Sequence, residues 1–333
     1  MNVAIVILNW NGRALLERFL PIVVKHSSDE AQVYVADNAS TDTSVAYCKT
    51  AFPEDVIVIQ NTVNGGYAKG YNDALKHITA DVFVLLNSDI EVTNGWLTPI
   101  IEQFKANPNL AAAQPKIRDL KNRTYFEYAG AAGGYIDVLG YPYCRGRVFD
   151  TLEKDSGQYD DTVAIHWASG ACFFVRAQAY KEIGGLDEDY FAHQEEIDLC
   201  WRLLHKGYEV KAIGSSSVFH LGGATLAKAN PQKTYYNFRN SLFNIVKHVP
   251  SSRYILYIFF RLLLDGIAAF QFLLKGKPKH LWAILRAHLS FYTHLPLMIK
   301  KRNGLSKKSL TYPVTSILFT YYVQSKRLFN EYL

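Results

Sequence analysis

Sulfur is scarce in this chain, with four cysteines and two methionines in 333 residues. Cys48, Cys144, Cys172 and Cys200 are far apart and none stands in a CxxC pair. That excludes a cysteine-rich zinc site and a disulfide framework. Acid is scarce at one end. Residues 251–333 hold 13 Lys and Arg against Asp265 and Glu331, so +11, whereas residues 1–250 hold 23 basic and 28 acidic residues, so −5. The formal net charge of +6 is thus a property of the tail, and the first 250 residues carry no nucleic-acid footprint. The amino terminus, MNVAIVILNWNG, lacks a basic leader and reads as a buried strand, not a signal peptide. A reducing cytoplasm is the expected compartment. No glycine-rich basic loop follows that strand, since NWNGR is a poor one, which weighs against a triphosphate-handling nucleotidyltransferase.

What is present is a regular alternation. Apolar, β-branched runs at 3–8, 32–36, 56–60 and 82–86 alternate with helical spacing at 13–25, 43–50, 67–78 and 96–105. This predicts crossover units and an α/β, mostly parallel, Rossmann-like sheet flanked by helices. Ligands of such sheets sit at the carboxyl ends of the strands, and NWNG, DNAS and NSD fall at three such ends. From about 115 to 165 glycine and tyrosine dominate, which predicts long loops with short strands. Regular structure resumes at His166, with a strand at 171–176, a helix at about 194–206 and a strand around Val210.

The expected division is a catalytic-type domain at 1–250 and a helical, basic region at 251–333. Residues 254–274 are apolar except for Arg261, Asp265 and Gln271, long enough to span a bilayer. Arg261 and Asp265, one helical turn apart, would be costly at mid-bilayer. A second segment, 281–298, is aromatic-rich and is followed by Lys300, Lys301 and Arg302. The reading favoured is a pair of helices lying in the membrane interface on an anionic surface. A spanning hairpin and an ordinary buried helical subdomain are the alternatives.

Polar side chains at the strand ends carry the chemistry. Glu195, Glu196 and Asp198 follow an aromatic turn at a helix start; the plain alternative is that acids there only favour the helix dipole. Asp37, opening DNAS, can accept from the imide of a pyrimidine base, or merely cap the next helix. Asn9 and Asn11 would border the same base. NGGYAKGYN brings Gly66 to a helix N-terminus, a natural anion site. Lys69 would neutralise a diphosphate there, although a plain surface lysine is the commoner role, and Asn72 would make a polar contact. Asn87, Ser88 and Asp89 end the fourth strand, where one carboxylate suits Mg²⁺ or Mn²⁺ held largely by substrate phosphates. His220 in FHLGG would add a metal ligand or a phosphate contact, with Thr225 allowing close approach. A strand-end acid that holds a cation, with a separate carboxylate that takes a proton, is the minimum equipment for moving a sugar off a nucleotide diphosphate.

In this order, VAIVILNWNG, ADNASTD, NGGYAKGYNDAL, LLNSD, GACFFVRAQAYKEIGGLDEDYF with EEIDLCWRL, and FHLGG resemble the family 2 glycosyltransferases of GT-A fold. The resemblance covers residues 1 to about 245, and within the family the chain looks most like bacterial rhamnosyltransferase-type enzymes of cell-surface polysaccharide synthesis. It implies an inverting, metal-dependent transferase using a UDP- or dTDP-sugar. Asp37 and Asn38 would lie on the nucleobase side and Asp89 would be the last residue of a DXD-like motif. The first acid of that motif is missing, since it reads NSD. The usual Glu-Asp pair reads Glu195-Glu196, which leaves the base open among Glu196, Glu195 and Asp198. Trp167, Gly170 and Ala171 of WASGA would sit near the acceptor, Arg202 would support the acids, and Arg145 with Arg147 would close over the diphosphate. The implied acceptor is a glycan or polyprenyl-diphosphate-linked glycan at the cytoplasmic face of the plasma membrane. A binding or scaffolding protein without catalysis is the alternative that the NSD and EEID departures allow.

Overall fold

The computed structural model describes residues 1–222, 230–250, 252–303 and 310–332. In chain order the elements are β1 (Val3–Asn9), α1 (Arg13–Lys25), β2 (Gln32–Asp37), α2 (Ser44–Ala51), β3 (Val56–Gln60), α3 (Gly66–Leu75), β4 (Val82–Asn87), β5 (Ile90–Val92) and α4 (Thr98–Ala106). Then follow β6 (Leu110–Asp119), the short strands β7 (Gly134–Ile136), β8 (Pro142–Cys144), β9 (Arg147–Val148), β10 (Thr151–Leu152) and β11 (Thr162–Ala164), then β12 (Cys172–Arg176), α5 (Ala177–Glu182), α6 (Glu195–His205) and β13 (Glu209–His220). Three long helices close the series: α7 (Pro231–His248), α8 (Tyr254–Leu274) and α9 (Pro278–Asn303).

The central sheet runs β11-β13-β6-β12-β4-β1-β2-β3, with β5 paired to β13. The strands that alternate with helices, β4-β1-β2-β3, form the parallel block. Both faces of that block are covered, so its strands read as continuous apolar runs. β12 enters antiparallel between β4 and β6, because α5 through α6 turn the chain before β13 pairs parallel with β6. Strand β6 has no counterpart in the sequence reading, which leaves 106–114 unassigned and starts a loop-rich stretch at about Pro115. Proline removes a ladder donor. Here the partner strand skips from Ile213 opposite Pro115 to Ser217 opposite Lys116, a bulge that accommodates the ring. Gly134–Leu152 folds into a small four-stranded sheet, β10-β9-β8-β7, within the stretch expected to be loops and short strands.

Contacts cross residue 250 freely. Residues past Leu310 return to the small sheet: Phe329 packs on Tyr135 at 5.3 Å, Ile317 N donates to Asp137 Oδ2 at 3.0 Å, and Phe329 N donates to Glu153 Oε1 at 3.0 Å. Helix α8 is inverted relative to an ordinary surface helix. Its charged side is inward, where Arg261 donates to Leu139 O and Ser241 Oγ at 3.0 and 2.7 Å and stacks on Tyr141, and Asp265 meets His288 at 3.2 Å. Its outward side is apolar, with Ile255, Phe259, Leu263, Ile267 and Phe270 all exposed.

Candidate active site

The carboxyl ends of β1, β2 and β3 hold a cluster of carboxamides and one buried acid. Strand register sets Asn9 beside Asp37, and Asn9 Nδ2 donates to Asp37 Oδ1 at 3.0 Å. Ser40 N donates to Asp37 Oδ2 at 3.0 Å. Each carboxylate oxygen keeps a lone pair for a ligand donor. Asn38 Nδ2 donates to Asn64 Oδ1 and Gly66 O at 2.9 and 3.0 Å. Asn11, with φ 50°, accepts from the Thr41 amide at 2.7 Å and so shapes the rim. Asn61, absent from the sequence reading, joins this group through Asn38 at 3.3 Å.

At the start of α3 the geometry departs from an anion cradle. Gly66 has φ 79°, and a Cβ there would meet Phe191 O at 2.6 Å, so only glycine fits. That carbonyl takes the Tyr67 and Ala68 amides at 2.8 and 3.4 Å, which are among the donors a phosphate would use. Lys69 is turned along the helix to Asp73 at 2.7 Å. Asn72 spends both ends of its amide on the turn before the acidic cluster, donating to Leu186 O at 2.8 Å and accepting from Tyr180 Oη at 2.6 Å. In this structure Lys69 and Asn72 are thus engaged with Asp73 and with the turn at Tyr180 and Leu186, and neither side chain is free of a partner.

Asp89 and His220 meet because β5 pairs with the end of β13, setting His220 opposite Ile90. His220 Nε2 donates to Asp89 Oδ1 at 3.1 Å, and its Nδ1 faces Glu127 Oε2 at 3.4 Å. Burial would lower the His220 pKa, but Asp89 and Glu127 override it and raise it to about 10. Glu127 itself is held below the usual range by His220 against the cost of burial. Among the described residues no three His, Cys, Asp or Glu side chains form a metal cluster. The pair nevertheless fits a divalent ion. Adjacent ligand atoms of an octahedral shell with bonds of about 2.1 Å lie about 3 Å apart, the separation of Asp89 Oδ1 and His220 Nε2. Glu127 behind the ring is the carboxylate–histidine arrangement that orients a metal-bound imidazole. A cation there would need His220 deprotonated at Nε2. Glu127 was not legible in sequence; an isolated acid in a glycine- and tyrosine-rich stretch gives no signal. Thr225 lies outside the described residues.

The acidic cluster divides by environment. Asp198 is fully buried and bound to Arg202 at 2.8 Å, His248 at 2.8 Å and Lys247. Those partners hold its carboxyl well below the usual range against burial. It accepts from structural cations and cannot serve a substrate, so it is corrected from base candidate to anchor. Arg202 supports it and also donates to Ile183 O and Gly185 O at 2.8 and 2.7 Å. Glu195 is buried with Oε2 unpartnered among the described residues, and burial and the neighbouring Glu196 push it well above the usual range. Glu196 is half-buried; burial raises it to about 7, opposed by backbone hydrogen bonds and Lys233.

WASGA separates in the same way. Trp167 is buried and donates from Nε1 to Tyr135 O at 2.9 Å, packed against the small sheet. Gly170 and Ala171 are at the site. Asn87 N donates to Ala171 O at 3.0 Å, and Tyr67 Oη donates to Gly170 O at 2.7 Å. A Cβ on Gly170 would lie 3.9 Å from Glu196 Cβ. The strand end that carries Asn87, Ser88 and Asp89 is thereby tied to the WASGA turn, whose Gly170 backbone lies close to the Glu196 side chain. Arg145 and Arg147 are buried in the small sheet, Arg145 paired with Asp161 and Arg147 donating to Tyr128 O at 2.7 Å. They form no closing loop.

The glycosyl transferase family 2 model matches residues 4–184, more than half of the chain. The chain is 27% identical over 220 residues to the N-acetylglucosaminyl-diphospho-decaprenol L-rhamnosyltransferase of Mycobacterium tuberculosis, spanning 62% of this chain and 71% of that protein. Its fold is similar to that of S. aureus TarS residues 1–349 in complex with UDP-GlcNAc, with TM-score 0.56 and 15% identity over 91% of this chain and 84% of that one. It is also similar to the mannosyltransferase PcManGT from Pyrobaculum calidifontis in complex with GDP-Man and Mn²⁺, with TM-score 0.52 and 15% identity over 91% and 87%. A mixed α/β sheet of GT-A type and a family match across its amino-terminal half make this chain a glycosyltransferase of family 2.

Proposed function

We propose that the protein moves a sugar, with inversion, from a UDP- or dTDP-sugar to a hydroxyl of a polyprenyl-diphosphate-linked glycan at the cytoplasmic face of the membrane, in cell-surface polysaccharide synthesis. The observation that carries this is Glu196, a half-buried carboxylate with its pKa raised to about 7, close to the Gly170 turn whose Ala171 carbonyl holds the strand end before Asp89. A base works best when its pKa lies near the operating pH. Glu196 takes the proton of the acceptor hydroxyl as its oxygen bonds to the anomeric carbon. The bond from that carbon to the diphosphate breaks on the opposite face. Burial and the neighbouring Glu196 favour the neutral form of Glu195, which makes Glu196 the better candidate for the base. Asp37 and Asn9 bind the pyrimidine ring, with Asn38 supporting the cleft. Asp89 and His220 would hold Mg²⁺ or Mn²⁺, which when bound offsets charge on the leaving diphosphate.

The basic tail and the outward apolar side of α8 support an acceptor presented at an anionic membrane, and the name of the mycobacterial relative, an N-acetylglucosaminyl-diphospho-decaprenol L-rhamnosyltransferase, makes dTDP-rhamnose with a GlcNAc-diphospho-prenol the first pair to assay. The test is transfer of labelled sugar from a nucleotide-sugar panel to that acceptor, with and without Mn²⁺. The expected result is metal-dependent transfer that Asp89→Asn abolishes together with metal-dependent donor binding. Donor affinity indifferent to Mn²⁺ and to Asp89→Asn would overturn the metal assignment. Transfer confined to water-soluble acceptors would overturn the lipid-linked one.

A further inference from the structure

One cavity has no part in the reading above. It lies where α7 and α9 begin, measures about 410 Å³, and is lined by Gln232, Tyr235, Lys279, Trp282 and Arg286, with Pro231 and Pro278 at its edge. The two helices run side by side in the same direction. Thr234 Oγ1 is 2.8 Å from His280 Nδ1, Tyr235 Oη donates to Ser290 Oγ at 2.9 Å, and far along both helices Arg302 donates to Val246 O and Val249 O.

The cavity lining holds two cations and no acid. Beyond Glu209 the sequence has only two acids, Asp265 and Glu331. Asp265 is engaged with Arg261 and His288, and Glu331 accepts from the Arg327 and Leu328 amides. Among the described residues neither Lys279 nor Arg286 has a carboxylate partner; Arg286 lies over the Tyr235 ring at 5.3 Å. Lys275 and Lys277 lie just before α9. Two cationic side chains facing one hollow match the two phosphates of a diphosphate.

Its two exits differ in chemistry. Trp282 is exposed, as are Leu285 and Leu289 further along α9, so that side continues into the apolar surface shared with α8. In the other direction α7 leads to the base. Gln232 lines the cavity, the next residue, Lys233, acts on the Glu196 charge, and Tyr236 stacks on Phe191 at 5.5 Å and 18°. Gln232 and Tyr236 are four residues apart, about 6 Å along a helix, a distance on the scale of one pyranose. Phe191 is five residues before Glu196 and is exposed.

We infer that this cavity binds the diphosphate of a prenyl-diphosphate-linked acceptor, clamped by Lys279 and Arg286, with its first sugar directed to the Phe191–Tyr236 ring pair and its prenyl chain leaving past Trp282. This rests on the lipid-linked acceptor proposed above and names where that acceptor is held. Farnesyl diphosphate is the probe, titrated into the full chain with UDP and Mn²⁺ saturating so that the donor site is closed. Lys279→Met and Arg286→Met keep the apolar stems. Each is expected to weaken binding about tenfold or more while the unliganded Tm is unchanged, with Arg286→Lys recovering part of the loss. Farnesol and inorganic pyrophosphate should each bind far more weakly than the intact probe. Failure of the wild-type chain to bind farnesyl diphosphate would overturn the acceptor reading itself. Binding that survives both Met substitutions would overturn the cavity alone. A loss of phosphatidylglycerol-vesicle co-sedimentation equal to the loss of probe binding would assign the cations to lipid headgroups and overturn the clamp.

Discussion

At the scale of single residues, three neighbouring acids on one helix do three jobs because their surroundings differ. Glu196→Gln keeps the shape of the site and removes the proton acceptor, so turnover should fall about 10²–10⁴-fold with donor affinity retained. Its pKa sets a pH dependence whose sign is fixed by its role: the base works ionised, so kcat/KM should rise with pH through about 7, and the glutamine variant should lose that rising limb. Glu195→Gln should cost less activity, since burial and the neighbouring Glu196 favour the neutral form of Glu195. A dead Glu195→Gln beside an active Glu196→Gln would move the base by one position. The motif EEID marks the helix start in the sequence but does not separate these roles, since separation comes from burial and from partners distant in the chain.

Elements explain what side chains alone do not. Helix α6 is tied down by Asp198, whose partners Lys247 and His248 arrive from α7, and the turn before the base loop is tied by Asp187 to Lys247 and, with Asp189, to Lys301 at the end of α9. Asp198→Asn breaks a buried charge network and should cost about 3–5 kcal/mol in urea denaturation at neutral pH. Asp198 has a depressed folded pKa, so its contribution exists above the unfolded value of about 4 and is lost as pH falls through the folded value. The penalty of the variant should therefore shrink in strong acid. An equal penalty at all pH values would mean that packing, not charge, holds the helix. The i, i+4 pairing of Asp198 with Arg202 was readable from spacing; Lys247, His248 and Lys301 were not, because no local pattern reports a contact made 49 to 114 residues away. Strand β6 was missed for a similar reason: the bulge that admits Pro115 is a property of its partner strand.

For the whole molecule, the charge asymmetry of the sequence becomes a shape. Helix α8 places Arg261 and Asp265 against the protein and leaves Phe259, Leu263 and Ile267 outward; by length and composition it could also cross a membrane, and the inward charges are what favour the proposal that it lies on the surface. Glutamate at these three exposed positions should abolish co-sedimentation with anionic vesicles while leaving Tm and transfer to a short-chain acceptor intact. Wild-type binding should fall as salt rises, since the Debye length shrinks to about 3 Å at 1 M. Vesicle binding unaffected by the triple substitution would remove the membrane role of this face. Truncation at residue 250 is a poorer test than sequence alone implies, because Lys301, Arg302 and Phe329 all pack into the rest of the protein.

The sequence by itself determined the alternating sheet, the strand-end polar positions, the family and the basic, apolar character of the tail, since periodicity and composition are local properties and short motifs sit at fixed places along a strand–turn–helix unit. Tertiary structure alone decided that Glu127 backs His220, that Asp198 anchors, that Lys69, Asn72 and Trp167 find partners within the protein, and that α7 and α9 enclose a cationic hollow. Each of these depends on which distant surfaces exclude water from a side chain and which charge meets it there, and burial is set by the assembled fold.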